Sequence, residues 1–329
     1  MPTVSVIMSV YNEPIEWLQQ SIRSILNQTY MDFEFIIIDD NPASKQIRNY
    51  LDDVVKDDNR VIIVPNDTNI GLTKSLNRGL SLSKGKYIAR MDADDVASID
   101  RFEKQVKYLE THEEIGLIHT NYCIIDEQGN IHEHFFLKDD RISKEWLVWT
   151  NTIAHSTVMF KSSLMNLRQP LYNESRRSSQ DYDLWAFLSI NDVRFAFINE
   201  ELLNYRVSSK QVSRVNNKEQ KSNYVDIRRK YIVSLLHKYG IINEERTYTA
   251  EELLLHIERS NYSPNSNEKI KELDLILFRL YYTVAGIKKK YVWLYFLNKR
   301  KLYSRFSIRM NSYILSQLIR NNFRPAYLF

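Results

Sequence analysis

The apolar positions of the first 125 residues switch repeatedly between the period of a strand and the period of a helix. Residues 3–10 form a β-rich run, and residues 14–27 carry Ile15, Leu18, Ile22, Ile25 and Leu26 at helical spacing. Residues 33–38 are continuously apolar and stop abruptly at Asp39-Asp40. A run of that kind predicts a strand buried on both faces, as in a parallel sheet. The same reading predicts helices over 43–56, 71–83 and 99–111, and strands over 60–65, 87–91 and 115–125. This βαβα order implies an α/β fold with a mostly parallel, doubly wound sheet flanked by helices.

Beyond residue 125 the alternation fades. Asp126-Glu127-Gln128-Gly129-Asn130 has the composition of a hairpin turn, 179–190 reads as a helix and 193–198 as a strand. From about residue 216 the pattern is helical. Leu273, Ile276, Leu277, Leu280, Val284 and Ile287 make one stripe, and Ile314, Leu315, Leu318 and Ile319 another.

Composition narrows the class. The 329 residues suit one large α/β domain with an extension, and 43% hydrophobic content with 7 Gly and 7 Pro excludes a disordered chain. Cys123, the single cysteine, rules out an internal disulfide and reads as a buried structural thiol in a reducing, cytoplasmic setting. The first residues lack the features of a signal peptide, and no apolar run approaches the roughly 18–20 residues of a membrane span. The net charge of +4 conceals an asymmetry. Residues 1–209 hold 22 Lys and Arg against 31 Asp and Glu, whereas the rest hold 23 against 10. An acidic part is therefore followed by a basic one suited to an anionic surface.

Ligands of doubly wound sheets collect at the carboxyl ends of the strands. Three predicted strands end there in polar residues: Ser9-Val10-Tyr11-Asn12, Asp39-Asp40 and Asp92-Ala93-Asp94-Asp95. Any one of these can be a helix cap; three on one edge point to a site. Three carboxylates within four residues repel one another unless a cation is present, and oxygen ligands suit Mg2+ or Mn2+ shared with a diphosphate. Taken alone, the Asp92-x-Asp94 pattern is also compatible with a solvated acidic turn.

The ordered set of motifs is more specific. Residues 4–13 (VSVIMSVYNE), Ile36-Ile37-Ile38-Asp39-Asp40-Asn41, the stretch from Asn69 through Leu76-Asn77-Arg78-Gly79-Leu80 to Asp95, and Gln180-Asp181-Tyr182-Asp183-Leu184-Trp185 together resemble the family 2 glycosyltransferases over residues 3–213. The resemblance implies a GT-A (Rossmann-like) catalytic domain over 1–215, with a nucleotide-binding half 1–125 and an acceptor half 126–215. A basic, aromatic helical region would then occupy 216–329.

Carried over to this sequence, the resemblance implies that Asp40 accepts the uracil N3 proton while Ser9 and Tyr11 line the base pocket. Asp92 would face the ribose or sugar, and Asp94 with Asp95 would bind the metal, Mn2+ or Mg2+. Arg78 and Arg90 are candidates for donor or diphosphate contacts, or equally for bracing the acidic cluster. Asp181 would be the general base that activates an acceptor hydroxyl, with Asp183 its rival; Gln180 stands where the family more often has an acid. His155-Ser156-Thr157-Val158-Met159-Phe160 resembles the strand that precedes the acidic motif in many relatives; His155 could touch acceptor or diphosphate, or be a hydrogen-bonded structural histidine. Ser208 stands two residues after Arg206, where relatives often carry a metal-binding histidine, so that Arg206 becomes a candidate phosphate contact.

The implied activity is inverting transfer from a UDP-sugar (UDP-Gal, UDP-Glc or their N-acetyl forms) to a glycan or lipid-linked acceptor in capsule or O-antigen synthesis. The clusters Lys288-Lys289-Lys290 and Lys299-Arg300-Lys301, flanking the aromatic run 291–296, suit peripheral contact with an anionic inner-membrane surface, or a helical cap. No recognition motif supports nucleic acid. Two alternatives remain at this point: a non-catalytic membrane-docking protein on the same scaffold, and a phosphatase of the haloacid dehalogenase type, for which Asp92-x-Asp94 lies on too late a strand.

Overall fold

The computed structural model describes residues 1–135, 146–148, 150–208, 217–244 and 246–260, with 272, 273, 276, 279 and 280. The stripe positions Leu277, Val284, Ile287 and 314–319, and the basic clusters of 288–301, lie outside the described residues. The chain divides into two compact units, one built from 1–144 and 152–223, the other from 145–151 and the residues from Tyr224 onward.

Among the described residues the first unit carries nine strands: β1 Val4–Val10, β2 Phe33–Asp39, β3 Val61–Pro65, β4 Tyr87–Arg90, β5 Val96–Ala97, β6 Ile115–Ile125, β7 Ile131–Phe135, β8 Met159–Lys161 and β9 Arg194–Arg206. Its helices are α1 Ile15–Leu26, α2 Lys45–Asp57, α3 Leu72–Leu82, α4 Arg101–Thr111 and α5 Gln180–Ile190. The strands form one sheet in the order β3-β2-β1-β4-β8-β6-β9-β5, with β7 paired to β6. The first four run parallel, as does β6 with β9, while β8, β5 and β7 pair antiparallel. The expected α/β class and mostly parallel sheet are thus present.

Local sequence explains the elements. Leu18, Ile22 and Ile25 of α1 are buried at intervals of four and three, so one helix face meets the sheet. In α2 the buried residues Ile47, Leu51 and Val54 repeat that spacing, and the Ser44 hydroxyl accepts the Ile47 N–H as an N-cap. The strands β1 and β2 are buried almost throughout, and their side chains meet α1, α2 and α4 in a core of Val6, Met8, Leu18, Ile22, Phe35 and Phe102 among others. Cys123 is buried in β6.

Two expectations change. The strand predicted over 193–198 continues to Arg206, because the polar stretch Asn199-Glu200-Glu201 is absorbed by irregularities in the β6–β9 register rather than forming a turn. The segment from His155 was expected to be a strand. It begins instead as a 3-10 turn over His155–Thr157, in which the Ala154 carbonyl accepts both the N–H and the hydroxyl of Thr157, and β8 starts only at Met159.

In the second unit α6 Asn217–Lys238, which begins in the first unit, and α7 Ala250–Arg259 are the described helices. Thr249 and Glu252 close a reciprocal capping box at the start of α7. Ile227, Tyr231, Leu235, Leu236, Leu253, Ile257, Leu273 and Ile276 are buried. No described helix is long and apolar enough to cross a membrane.

One glycine sets how closely the chain can approach β1. A Cβ on Gly85 would lie 2.5 Å from the backbone nitrogen of Ser5, which cannot retreat because it belongs to a central strand. The Gly85 N–H also donates to the Ser5 hydroxyl at 2.8 Å, and that hydroxyl donates to buried Glu34 at 2.6 Å. Gly85→Ala is expected to cost about 1–3 kcal/mol by overpacking. Urea unfolding checks this: the midpoint should fall with an unchanged slope, and an unaltered midpoint would show that the contact relaxes freely.

Candidate active site

The carboxyl ends of β1, β2 and β4 bring three polar segments to one edge of the sheet. At the end of β2, Asp39 is fully buried and pairs with Arg48 of α2 at 2.6 Å. Asp40, also buried, accepts the Asn66 amide at 2.7 Å, the Ile70 N–H at 2.8 Å and the Gly71 N–H at 2.9 Å. Two of these bonds fall on Oδ1 and one on Oδ2, so an Oδ2 lone pair is left for a further donor. Gly71 has a φ of 85°, a left-handed conformation that lets its N–H turn toward Asp40 as α3 begins. Arg78 donates to the Pro65 carbonyl at 2.9 Å and to the Asn66 side chain, bracing the loop that holds Asp40. Tyr11 is half exposed beside this pocket and Ser9 is partly buried.

The acidic cluster at the end of β4 is held by a small number of donors. Buried Arg90 forms an ion pair with Asp92 and donates to the Ser156 hydroxyl at 2.9 Å. Ser156 in turn gives its hydroxyl proton to Asp92 at 2.6 Å and accepts the Asp92 N–H at 3.3 Å. Burial alone would lower the Arg90 guanidinium; the charge and hydrogen bond of Asp92, with the charges of Tyr172 and Asp95, together raise it. Asp95 is wholly buried. Its Oδ1 accepts the Arg206 N–H at 2.9 Å, whereas Oδ2 has no hydrogen-bonding partner.

Burial and the charge of Asp92 push Asp95 up to about 7, against the pull of Ser156, the Arg206 N–H and Arg90. Asp94 is raised strongly as well, by burial and then by Asp95, Asp92 and Glu13. One oxygen from each of Asp92, Asp94 and Asp95 lies within 4.8 Å of the others. A convergent set of hard oxygens, one of them an orphaned buried carboxylate atom, fits a divalent cation such as Mn2+ or Mg2+.

Arg206 frames the cluster from the end of β9. Its guanidinium donates to the carbonyls of Asp94 at 2.9 Å and Asp126 at 3.1 Å and to the Gln20 side chain at 2.6 Å, and sits 5.1 Å from the Trp17 ring. That geometry braces the acidic loop. Ser208, two residues on, is buried.

Asp181 lies in the first turn of α5. The residue before that helix, Ser179, has a φ of 62°, costly for a side chain of its kind, and its buried hydroxyl is unpartnered. Asp183, the rival base, is engaged by Arg168 at 3.1 Å and Arg176 at 3.4 Å. Tyr172 links the two halves of the site: its hydroxyl is raised by burial and then by the charges of Asp181 and Asp92, with Arg90 opposing. The same hydroxyl meets His155 Nε2 at 2.7 Å. His155 is buried, held well below its ordinary range by burial and Arg90, and packed against Tyr172 and Trp185.

Three contributors escaped the sequence reading. Ser156 was visible only as part of the segment with His155. Glu13 closes the first motif, accepts the Tyr11 N–H at 2.8 Å, and is raised by burial despite three backbone donors, with Asp92 adding to the rise. Tyr172 carried no signal; Asn77 anchors it by exchanging hydrogen bonds with its backbone at 2.9 Å each way.

The raised Asp95 makes a stability prediction. A carboxyl whose folded pKa exceeds its unfolded value stabilises the fold most below the unfolded value, and loses that contribution as pH rises through the folded one. In chelator the protein should therefore lose stability from Asp95 between about pH 4 and pH 7. Asp95→Asn, which keeps an acceptor for the Arg206 N–H, should flatten that loss. Melting temperatures across this range check it, and an identical pH slope in the variant would contradict it.

The Glycosyl transferase family 2 model matches residues 5–168. An uncharacterized glycosyltransferase of Methanocaldococcus jannaschii, MJ1057, is 38% identical over 227 residues, covering 68% of this chain and 78% of its own. An uncharacterized glycosyltransferase of Haemophilus influenzae is 30% identical across 97% of both chains. The O-antigen biosynthesis glycosyltransferase WbnJ of Escherichia coli is 37% identical, over 64% of this chain and 82% of its own. Among solved structures, S. aureus TarS 1–349 in complex with UDP-GlcNAc superposes with a TM-score of 0.58 at 15% identity, covering 86% of this chain and 81% of that one. These relationships leave the phosphatase alternative without support. With its mostly parallel sheet of the GT-A type and this degree of identity to several glycosyltransferases, the chain belongs to glycosyl transferase family 2.

Proposed function

We propose that the chain is a metal-dependent, inverting glycosyltransferase that uses a UDP-sugar and a glycan or lipid-linked acceptor in surface-polysaccharide synthesis. The observation that carries this reading is the convergence of Asp92, Asp94 and wholly buried Asp95 at the same sheet edge as Asp40. TarS is seen with UDP-GlcNAc and with UDP, and WbnJ is an O-antigen transferase. Both lend support to a uridine donor and a surface-glycan product here.

In this reading the open Oδ2 lone pair of Asp40 accepts the uracil N3–H, a contact a cytosine base cannot offer. Ser9 and Tyr11 flank the base, and Asp92 faces the ribose or sugar. Asp94 and Asp95 hold Mn2+ or Mg2+, which when bound neutralises charge on the departing diphosphate. Arg90 and Arg206 keep the carboxylates from spreading apart, and Arg78 keeps the Asp40 loop in place. Asp181 removes the proton of the acceptor hydroxyl, whose oxygen attacks the anomeric carbon opposite the nucleotide; an α-linked donor gives a β-linkage. Asp183 is engaged in ion pairs with Arg168 and Arg176, which leaves Asp181 as the base in this reading. The basic stretch 216–329, through peripheral contact with an anionic membrane surface, would bring a lipid-linked acceptor to the site.

Asp181→Asn should retain donor affinity and lose transfer by a factor on the order of 100 to 10,000, the usual contribution of a general base. UDP release from a panel of UDP-sugars in Mn2+, alongside calorimetric donor binding, checks it. Transfer within a few-fold of the wild type would remove Asp181 as base, and no turnover of any UDP-sugar by the wild type would sink the uridine-donor reading.

A further inference from the structure

Away from the acidic edge, three strands bring a thiol, an imidazole and a carboxylate to one point. Cys123 of β6 and His134 of β7 are direct partners in the antiparallel register, so their side chains share a face of the sheet. Glu201 of β9 reaches the same point because the β6–β9 ladder is irregular. Asn121 pairs with Glu201 but Cys123 with Asn204, two steps on β6 against three on β9, and the successive residues Leu202 and Leu203 are both buried. A bulge of this kind re-aims side chains and is a recurrent device at functional positions.

The resulting distances are those of a ligand set. Cys123 Sγ lies 3.4 Å from His134 Nδ1, and the Glu201 oxygens lie 2.8 and 3.0 Å from the same nitrogen. With Zn–S near 2.3 Å and Zn–N near 2.0–2.1 Å, a tetrahedral centre places sulfur and nitrogen about 3.5 Å apart and nitrogen and oxygen about 3.3 Å apart. The sulfur–nitrogen edge is therefore already at length, and the carboxylate has to withdraw by about 0.3–0.5 Å. The His134 side chain is 53% exposed and can accommodate that shift. A nucleophile–base–acid relay would use both ring nitrogens of the histidine; here one nitrogen faces both partners, which suits a shared cation better than a proton relay.

We propose that Cys123, His134 and Glu201 form a zinc site with water as its fourth ligand, clamping the β6–β7 hairpin to β9. The thiol loses its proton on binding. A thiolate–imidazole–carboxylate set prefers zinc to the hard Mg2+ and Mn2+ that suit the all-oxygen cluster at the strand ends. The clamp grips the strand whose last residue, Arg206, braces Asp94 and Asp95.

The full chain, loaded with one equivalent of Zn2+ in excess Mg2+ and desalted, tests this by metal analysis. The wild type and Asp94→Asn should each retain about one equivalent, and Cys123→Ser and the surface variant His134→Ala should retain almost none. Co2+ in place of zinc should give thiolate-to-metal absorption in the wild type that Cys123→Ser lacks. A wild type that retains no zinc, or a Cys123→Ser and His134→Ala pair that retain as much as the wild type, would overturn the site. Loss of zinc only in Asp94→Asn would assign the metal to the strand-end cluster instead.

Discussion

Mutual repulsion among Asp92, Asp94 and Asp95 is the constraint around which the rest of the site is arranged. Burial first, and then the charges of their neighbours, raise Asp94 and Asp95, so the cluster destabilises the fold when all three carboxylates are ionised. Arg90 supplies the one buried positive charge that directly pairs with the cluster among the described residues, and it is directed to Asp92. Asp95 receives the Arg206 N–H and the pull of Ser156, but no directly paired cation among the described residues. The cluster is thus balanced at one end and left short of positive charge at the other, where a divalent cation complements it. A site fully neutralised by arginines would be more stable and would have no use for a metal.

The sheet explains how so unfavourable a cluster stays assembled. β4 lies between β1 and β8, so the backbone leading into Asp92 is fixed on both sides by the ladder. Arg101, fully buried in α4, donates to the carbonyls of Arg90 and Val158 at 3.0 and 3.1 Å, tying β4 to the segment that carries Ser156. The long β9 then returns to deliver the Arg206 backbone and guanidinium to the acidic loop. Packing energy from the core, together with these few donors, holds the like charges together.

Much of this was legible in the sequence, for identifiable reasons. Helices α1 to α5 and strands β1 to β4 and β6 announced themselves through local periodicity, and each strand-end motif is contiguous. Asp92, Asp94 and Asp95 could therefore be grouped before any coordinates. What escaped depends on contacts between residues far apart in the chain. Ser156 bridges Arg90 and Asp92 across more than sixty residues, Tyr172 is fixed by Asn77, and Arg206 meets Asp95 across 111 positions. Nothing near Arg206 distinguishes a brace from a phosphate contact. The extension of β9 through Asn199-Glu200-Glu201 was hidden because bulges let polar residues sit where an alternating pattern would exclude them. The neighbourhood of Cys123 was invisible for the same reason, since its partners lie on two other strands.

Binding of Mn2+ to the protein in the presence of UDP, followed by the loss of the free-ion paramagnetic signal, tests the central claim most directly. The wild type is expected to take up one Mn2+, more tightly at pH 8 than at pH 6 as the carboxyls give up their protons, and Asp94→Asn to leave the ion free at both. Uptake by Asp94→Asn equal to that of the wild type would contradict the assignment of this cluster as the metal arm.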